Sequence, residues 1–168
     1  MKYTFLSLVF VALSISGINA QKFGYVDTQE LLSTMSEMKL ADNELQKLQN
    51  ELVAKGEEMV IKFEAEYKKY MTEANSGTLS KIQMQQKEEV LVKQQEEIKN
   101  YENDIQQQIV KKREELYKPV IDKVKGEIEK LGKDGGYTMI FDASGGMILH
   151  AADSENLMPI LKEKLGIH

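Results

Sequence analysis

Asn75-Ser76-Gly77-Thr78-Leu79-Ser80-Lys81-Ile82-Gln83 separates two stretches that are otherwise built alike. Asn75-Ser76-Gly77 stops a helix, because Gly tolerates the left-handed conformation that ends one. Ser80 and Gln83, three apart, can cap a new helix reciprocally. A stop followed so closely by a start turns the chain back on itself. Upstream, from Glu37 to Asn75, there is one Gly and no Pro, and Glu, Lys, Gln, Leu and Ala dominate. These are strong helix formers. Met38, Ala41, Leu45, Leu48 and Leu52 recur at alternating threes and fours, the seam of a coiled coil. Glu51/Lys55, Glu58/Lys62 and Glu64/Lys68 place acid before base at four residues on an exposed face. At Gly56 the stripe changes phase, and Met59, Phe63, Tyr67, Tyr70 and Ala74 carry it on.

Downstream of the turn, Met84, Leu91, Ile98 and Ile105 recur at sevens, with Val90, Tyr101 and Ile109 beside them. Leu116, Val120, Val124, Ile128 and Leu131 extend the stripe, Gly132 is expected to end it, and Pro119 predicts a kink. Helices over Glu37–Asn75 and Ser80–Tyr117 would measure ~58 and ~57 Å at ~1.5 Å per residue. Equal arms joined by a short turn describe an antiparallel helical hairpin, whose seam buries one stripe per helix.

The chain ends differ in period. Phe23-Gly24-Tyr25-Val26 suits a strand. Asp27 can cap the following helix, Glu30 can reach back, and Val26 can staple Leu31. That helix is expected to break over Ser33–Ser36, with Ser36 capping the long helix. After Gly135-Gly136, Tyr137, Met139 and Phe141 alternate with Thr138, Ile140 and Asp142. Ala143-Ser144-Gly145-Gly146 forms a turn, and Met147 to Ala151 is expected to return as a partner strand. A last helix carries Leu157, Ile160, Leu161 and Leu165, with Asp153 to Asn156 offering caps, Pro159 in its first turn and Gly166 after it. These end segments amount to roughly sixty residues, close to the lower limit for a self-sufficient core. Sheet edges and apolar faces would stay exposed in one copy, so oligomerisation is expected there. Its candidates are Phe23, Tyr25, Val26, Tyr137, Met139, Ile140, Phe141, Ile148 and Leu149.

Composition limits the chemistry. Of 168 residues, 29% are charged and 42% hydrophobic, which suits a folded chain and not a membrane bundle. Without Cys there is no disulfide framework and no thiolate chemistry. A net charge of -5 gives no general attraction to nucleic acid. Met1-Lys2-Tyr3, an apolar run from Phe5 to Ile15 and a small residue at Ala20 read as a signal peptide over 1–20, leaving no membrane segment in the mature chain. His150 sits on an expected strand, His168 at the terminus, and Gly145-Gly146 reads as a turn. No constellation for catalysis, metal or cofactor emerges, so the expectation is a non-enzyme without cofactors.

Taken in order, these segments resemble the Skp/OmpH family of exported chaperones. The resemblance rests on Phe23-Gly24-Tyr25-Val26-Asp27-Thr28-Gln29, on Leu116-Tyr117-Lys118-Pro119 near the base of the second arm, and on Gly136-Tyr137-Thr138-Met139-Ile140-Phe141-Asp142-Ala143-Ser144. Asn156-Leu157-Met158-Pro159-Ile160-Leu161-Lys162 with Leu165-Gly166 completes it. The resemblance implies a homotrimer whose terminal strands form a central body and whose three arms enclose a cavity. It implies an ATP-independent holdase in the periplasm that shields unfolded outer-membrane proteins. The expected fold is α+β and mostly helical, with a trimerisation body over 21–36 and 118–168 and a coiled-coil arm over 37–117. One departure is charge: 14 basic and 17 acidic residues lie between Glu37 and Lys118, and Lys111-Lys112-Arg113 is followed by Glu114-Glu115, so no lipopolysaccharide-binding cluster carries over. The other is Met158, where the family often has a hydroxyl cap. Met59, Phe63, Tyr67, Tyr70, Met71 and Met84 are the client-contact candidates, weighed against packing inside the hairpin. The alternative function is a structural or adaptor coiled coil of the envelope with one fixed partner.

Overall fold

The computed structural model describes residues 21–167. The signal peptide expected at 1–20 and the terminal His168 lie outside the described residues. The elements are β1 (Phe23–Val26), α1 (Thr28–Thr34), α2 (Ser36–Asn75), α3 (Lys81–Asp134), β2 (Met139–Asp142), a 3-10 turn (Asp153–Glu155) and α4 (Met158–Lys164). The chain is mostly helical with one small strand pair. It divides into two compact units, one reaching Leu31 and resuming at Val124, the other covering Leu32–Lys123.

In the first unit β1 and β2 run parallel, with Tyr25 opposite Phe141 and Val26 opposite Asp142. Parallel partners need a long crossover, and everything from α1 through α3 supplies it. The Thr138 amide donates to the Lys22 carbonyl at 2.7 Å and the Ala143 amide to the Val26 carbonyl at 2.8 Å, which extends the ladder at both ends. The other edge of β1 is taken by Asn156, and the Leu157 amide donates to the Tyr25 carbonyl at 2.9 Å. Val26, Leu31, Leu157 and Leu161 form the fully buried centre, with Val124, Leu131 and Met158 also buried. Asp27 caps α1 as expected, its Oδ1 accepting the Glu30 amide at 2.8 Å. The Glu30 carboxylate is held by Lys162 of α4 at 2.9 Å.

Three expectations are corrected here. The stretch Met147–Ala151 is not a strand: among the described residues the sheet has two strands, β2 pairing only with β1. β1 is the inner strand, Asn156 having taken its second edge, so the chain leaving β2 crosses to that side instead of returning along β2. Met147 and Leu149 are 84% and 96% exposed among the described residues. Gly132 does not end α3, which runs two residues further and closes at Gly136 with φ 66. Ile160 faces outward from α4, where Leu157, Met158 and Leu161 supply the buried face. Asn156 provides the start of α4, its Oδ1 accepting the Met158 amide at 2.9 Å.

The second unit holds most of the two long helices. Met35, not Ser36, is the N-cap of α2; it is extended, and the Ser36 hydroxyl bonds to Glu37 instead. Met38, Ala41, Leu45 and Leu52 are buried on α2 and Leu48 is half-buried. On α3 Leu91, Tyr101 and Val120 are buried, Met84, Ile98, Ile105 and Ile109 half-buried, and Val90, placed beside the seam, is exposed. The Ser80/Gln83 capping box forms: the Ser80 amide donates to Gln83 at 2.9 Å and the Gln83 amide to Ser80 at 3.3 Å. Partners across the helices fall in number on α3 as they rise on α2. Glu37 meets Lys123 at 2.6 Å, Glu44 meets Lys112 at 2.6 Å, and Glu73 meets Lys87 at 2.8 Å. The helix continues uninterrupted through Pro119.

Candidate functional site

Two surfaces gather the residues singled out in the sequence. The first lies in the unit formed by the chain ends. Phe23 and Phe141, set diagonally across the parallel pair, tilt together with ring centroids 6.2 Å apart. With Tyr25, Met147, Ile148 and His150 they line an open groove of about 530 Å³. Phe23, Met139, Phe141 and Leu149 are exposed, whereas Tyr25, Tyr137, Ile140 and Ile148 are half-buried. Val26 is fully buried within its own chain, so its side chain offers no contact outward. Met147 was absent from the sequence candidates. It follows a Gly pair, and only the position of the groove reveals it.

Asp142 fixes the rim of this groove. Its Oδ2 accepts the Thr28 hydroxyl at 2.6 Å, and its Oδ1 accepts the Ser144 amide at 3.0 Å. Partial burial, the largest single influence, pushes this carboxyl up, but the bonds from Thr28 and Ser144 together outweigh it and hold Asp142 below the usual carboxylate range. It ties the turn after β2 to the start of α1. Lys22, just before β1, lies with its ammonium 4.0 Å from the Tyr137 ring centroid and 3.0 Å from the Gly135 carbonyl.

The second surface lies on the long helices. Phe63 and Tyr67 stack with centroids 6.1 Å apart. Met59, Phe63, Tyr70 and Met84 are half-buried, while Tyr67 and Met71 are exposed. The six candidates therefore split between packing and surface. Tyr70 borders a cleft of about 380 Å³ with Glu66, Lys69, Gln83, Lys87 and Val90. Its hydroxyl donates to Glu88, and that bond, with some desolvation, raises its pKa above the ordinary tyrosine value. Gln94 donates to Glu66 at 2.7 Å, and the hydrogen bond from Lys87 lowers the pKa of Glu73. Apolar contact thus gives way to polar pairing toward the turn. Val53 and Val60, also exposed on α2, were missed because they lie outside the seam pattern.

Apolar patches rimmed by hydrogen-bonding groups are suited to binding. Among the described residues no group of three or more His, Asp or Glu is placed to hold a metal ion, and no helix is long and apolar enough to cross a membrane. The family profile described as Outer membrane protein (OmpH-like) matches residues 22–165. No curated protein matches the chain. Its fold is similar to the crystal structure of a candidate outer membrane chaperone (OmpH-like) from Caulobacter crescentus CB15. The TM-score is 0.74 at 11% identity, covering 89% of this chain and 86% of that one.

Proposed function

From the premise that the chain belongs to the OmpH-like family, we propose that it is an ATP-independent periplasmic holdase that shields unfolded outer-membrane proteins. The observation that carries this reading is apolar surface spread along both long helices. Val53, Val60, Tyr67 and Met71 on α2, and Val90, Val92 and Val110 on α3, are all exposed. Surface of that kind holds varied unfolded segments by many weak contacts, without a single enclosed pocket.

In this reading residues 37–117 form an antiparallel coiled-coil hairpin arm, supported by the falling register of the cross-helix pairs. Residues 21–36 and 118–168 form the body through which three copies assemble. Phe23, Tyr25, Tyr137, Met139, Ile140, Phe141, Ile148 and Leu149 supply that interface, and Met147 joins them. Tyr67 and Met71 are the client contacts retained from the six sequence candidates, whereas Met59, Phe63, Tyr70 and Met84 chiefly pack the arm. Residues 1–20 export the chain.

The test is dilution of a urea-unfolded outer-membrane β-barrel protein into buffer containing the mature chain, followed by light scattering. Suppression of scattering without nucleotide, saturating at a fixed ratio of chains to client, is expected. Scattering unchanged at excess chaperone would overturn the reading.

A further inference from the structure

At ~100° per residue, Val53, Val60, Tyr67 and Met71 fall within about 40° of one another around α2, in a stripe ~27 Å long. They are 45%, 39%, 48% and 39% exposed. The stripe is distinct from the seam, whose buried residues Leu45 and Leu52 lie on a neighbouring face. The stacking of Tyr67 on half-buried Phe63 links the two and orients the tyrosine ring. On the far flank stand Glu57 and Glu64, with Lys68 toward the end that carries Met71.

We propose that this stripe is a docking surface for an extended segment whose alternate residues are apolar and which carries Lys or Arg on its polar face. The proposal rests on the holdase reading and names the form of client that the arm accepts. Length favours an extended occupant: eight residues at ~3.4 Å each span ~27 Å and present four side chains on one face. Charge favours a basic one, because Glu57 and Glu64 border the middle of the apolar line, from Val53 to Tyr67. A second copy of the same helix is a poor occupant. A helical seam needs apolar residues alternating at three and four. Four residues beyond Val53 and Val60 stand Glu57 and Glu64, and the residues three beyond are Gly56 and half-buried Phe63. Pairing of copies along this line would confront acids with acids.

The experiment uses the mature full-length chain and two fluorescent ten-residue peptides of identical composition. One alternates apolar residues with Ser and Lys; the other collects the apolar residues into a block. Anisotropy should show preference for the alternating peptide. Combined Val53→Gln, Val60→Gln, Tyr67→Gln and Met71→Gln should weaken it about tenfold or more, the scale of losing one or two buried side chains. The control variant Leu40→Gln, Ile61→Gln and Ile82→Gln removes exposed apolar residues elsewhere on the helices and should bind as the wild type does. Equal binding by both variants, or equal loss in both, overturns the proposal. So does a fall in native mass of the stripe variant, which would make a second copy the occupant. Glu57→Lys with Glu64→Lys, which leaves the apolar line intact, should reverse the preference for Lys-bearing over Glu-bearing peptides; an unchanged preference counts against the proposal. Wild-type chain that fails to suppress aggregation sinks the holdase reading. Wild-type and stripe variant that suppress equally well sink the docking surface alone.

Discussion

Gly24 shows how closely one residue can be specified. A Cβ built there would stand 2.6 Å from Leu157 Cδ1 and 3.1 Å from Tyr137 Cε1. Leu157 is buried to 1% exposure and cannot swing aside, so the methyl group has nowhere to go. Gly24→Ala should destabilise the unit formed by the chain ends by about 1–3 kcal/mol, the usual cost of overpacking. Urea unfolding followed by tyrosine fluorescence checks this; a midpoint unchanged from wild type contradicts it. Glu37 makes the corresponding electrostatic case. Its carboxyl is lowered to about 2, first by the hydrogen bond from Lys123, then by its own amide and the Ser36 hydroxyl. The folded value lies below the ordinary 4.5, so this stabilisation is complete above that pH and is lost as pH falls through about 2. Glu37→Gln should therefore melt below wild type at neutral pH, and the gap should close between 4.5 and 2. A gap constant across that window would place the contribution elsewhere. Neither residue announced its role in the sequence: Gly24 read as one letter of a strand, and the partner of Glu37 lies 86 positions away.

At the scale of elements, local chemistry was readable and remote closure was not. The Ser80/Gln83 box and the Asp27 cap formed as their spacing implied, because both are settled within four residues. The strand expected over Met147–Ala151 did not form: an apolar run after a turn supplies no ladder partner by itself. Seam positions were legible near the chain ends of the helices, where Met38, Leu45 and Leu52 are buried. They were less so toward the turn, where the pairs Glu66–Gln94 and Tyr70–Glu88 share the interface with aromatic residues. Gly56 marks the change. A Cβ there would meet Tyr101 Cε1 at 3.5 Å, an ordinary contact. The Tyr101 hydroxyl donates to the Leu52 carbonyl at 3.1 Å, the same carbonyl that a regular helix pairs with the Gly56 amide. Glycine is thus not required by space, and it weakens the helix. Gly56→Ala should stabilise α2 by about 1 kcal/mol. Slower amide exchange over residues 53–60 would show it; unchanged or faster exchange would show that the extra methyl disturbs the tyrosine.

For the whole molecule, the decisive matter is what covers the surface that one chain leaves open. The sequence pointed to the chain ends, and β1 and β2 do pair there. The end segments are close to the lower limit for a self-sufficient core, so self-association could be expected, but its contacts could not be read. In the proposed assembly the relevant neighbours belong to other copies, and periodicity within one chain carries no address for them. Among the described residues the outer edge of β2 has no ladder partner, Phe23 and Phe141 face an open groove, and Met147 and Leu149 stand almost wholly in water. The proposed trimer accounts for these features together, since apolar side chains so placed gain most by burial against another copy. Met147→Asp with Leu149→Asp should therefore dissociate it. Both positions are so exposed in the single chain that neither substitution should disturb its internal packing, and the cross-helix pairs of residues 32–123 are untouched. Sedimentation should show the mass falling from three chains to one while far-UV helicity persists. The mass should also become independent of concentration. A variant that remains trimeric would exclude this segment from the interface, and a wild type that sediments as one chain would remove the assembly on which the cavity reading depends.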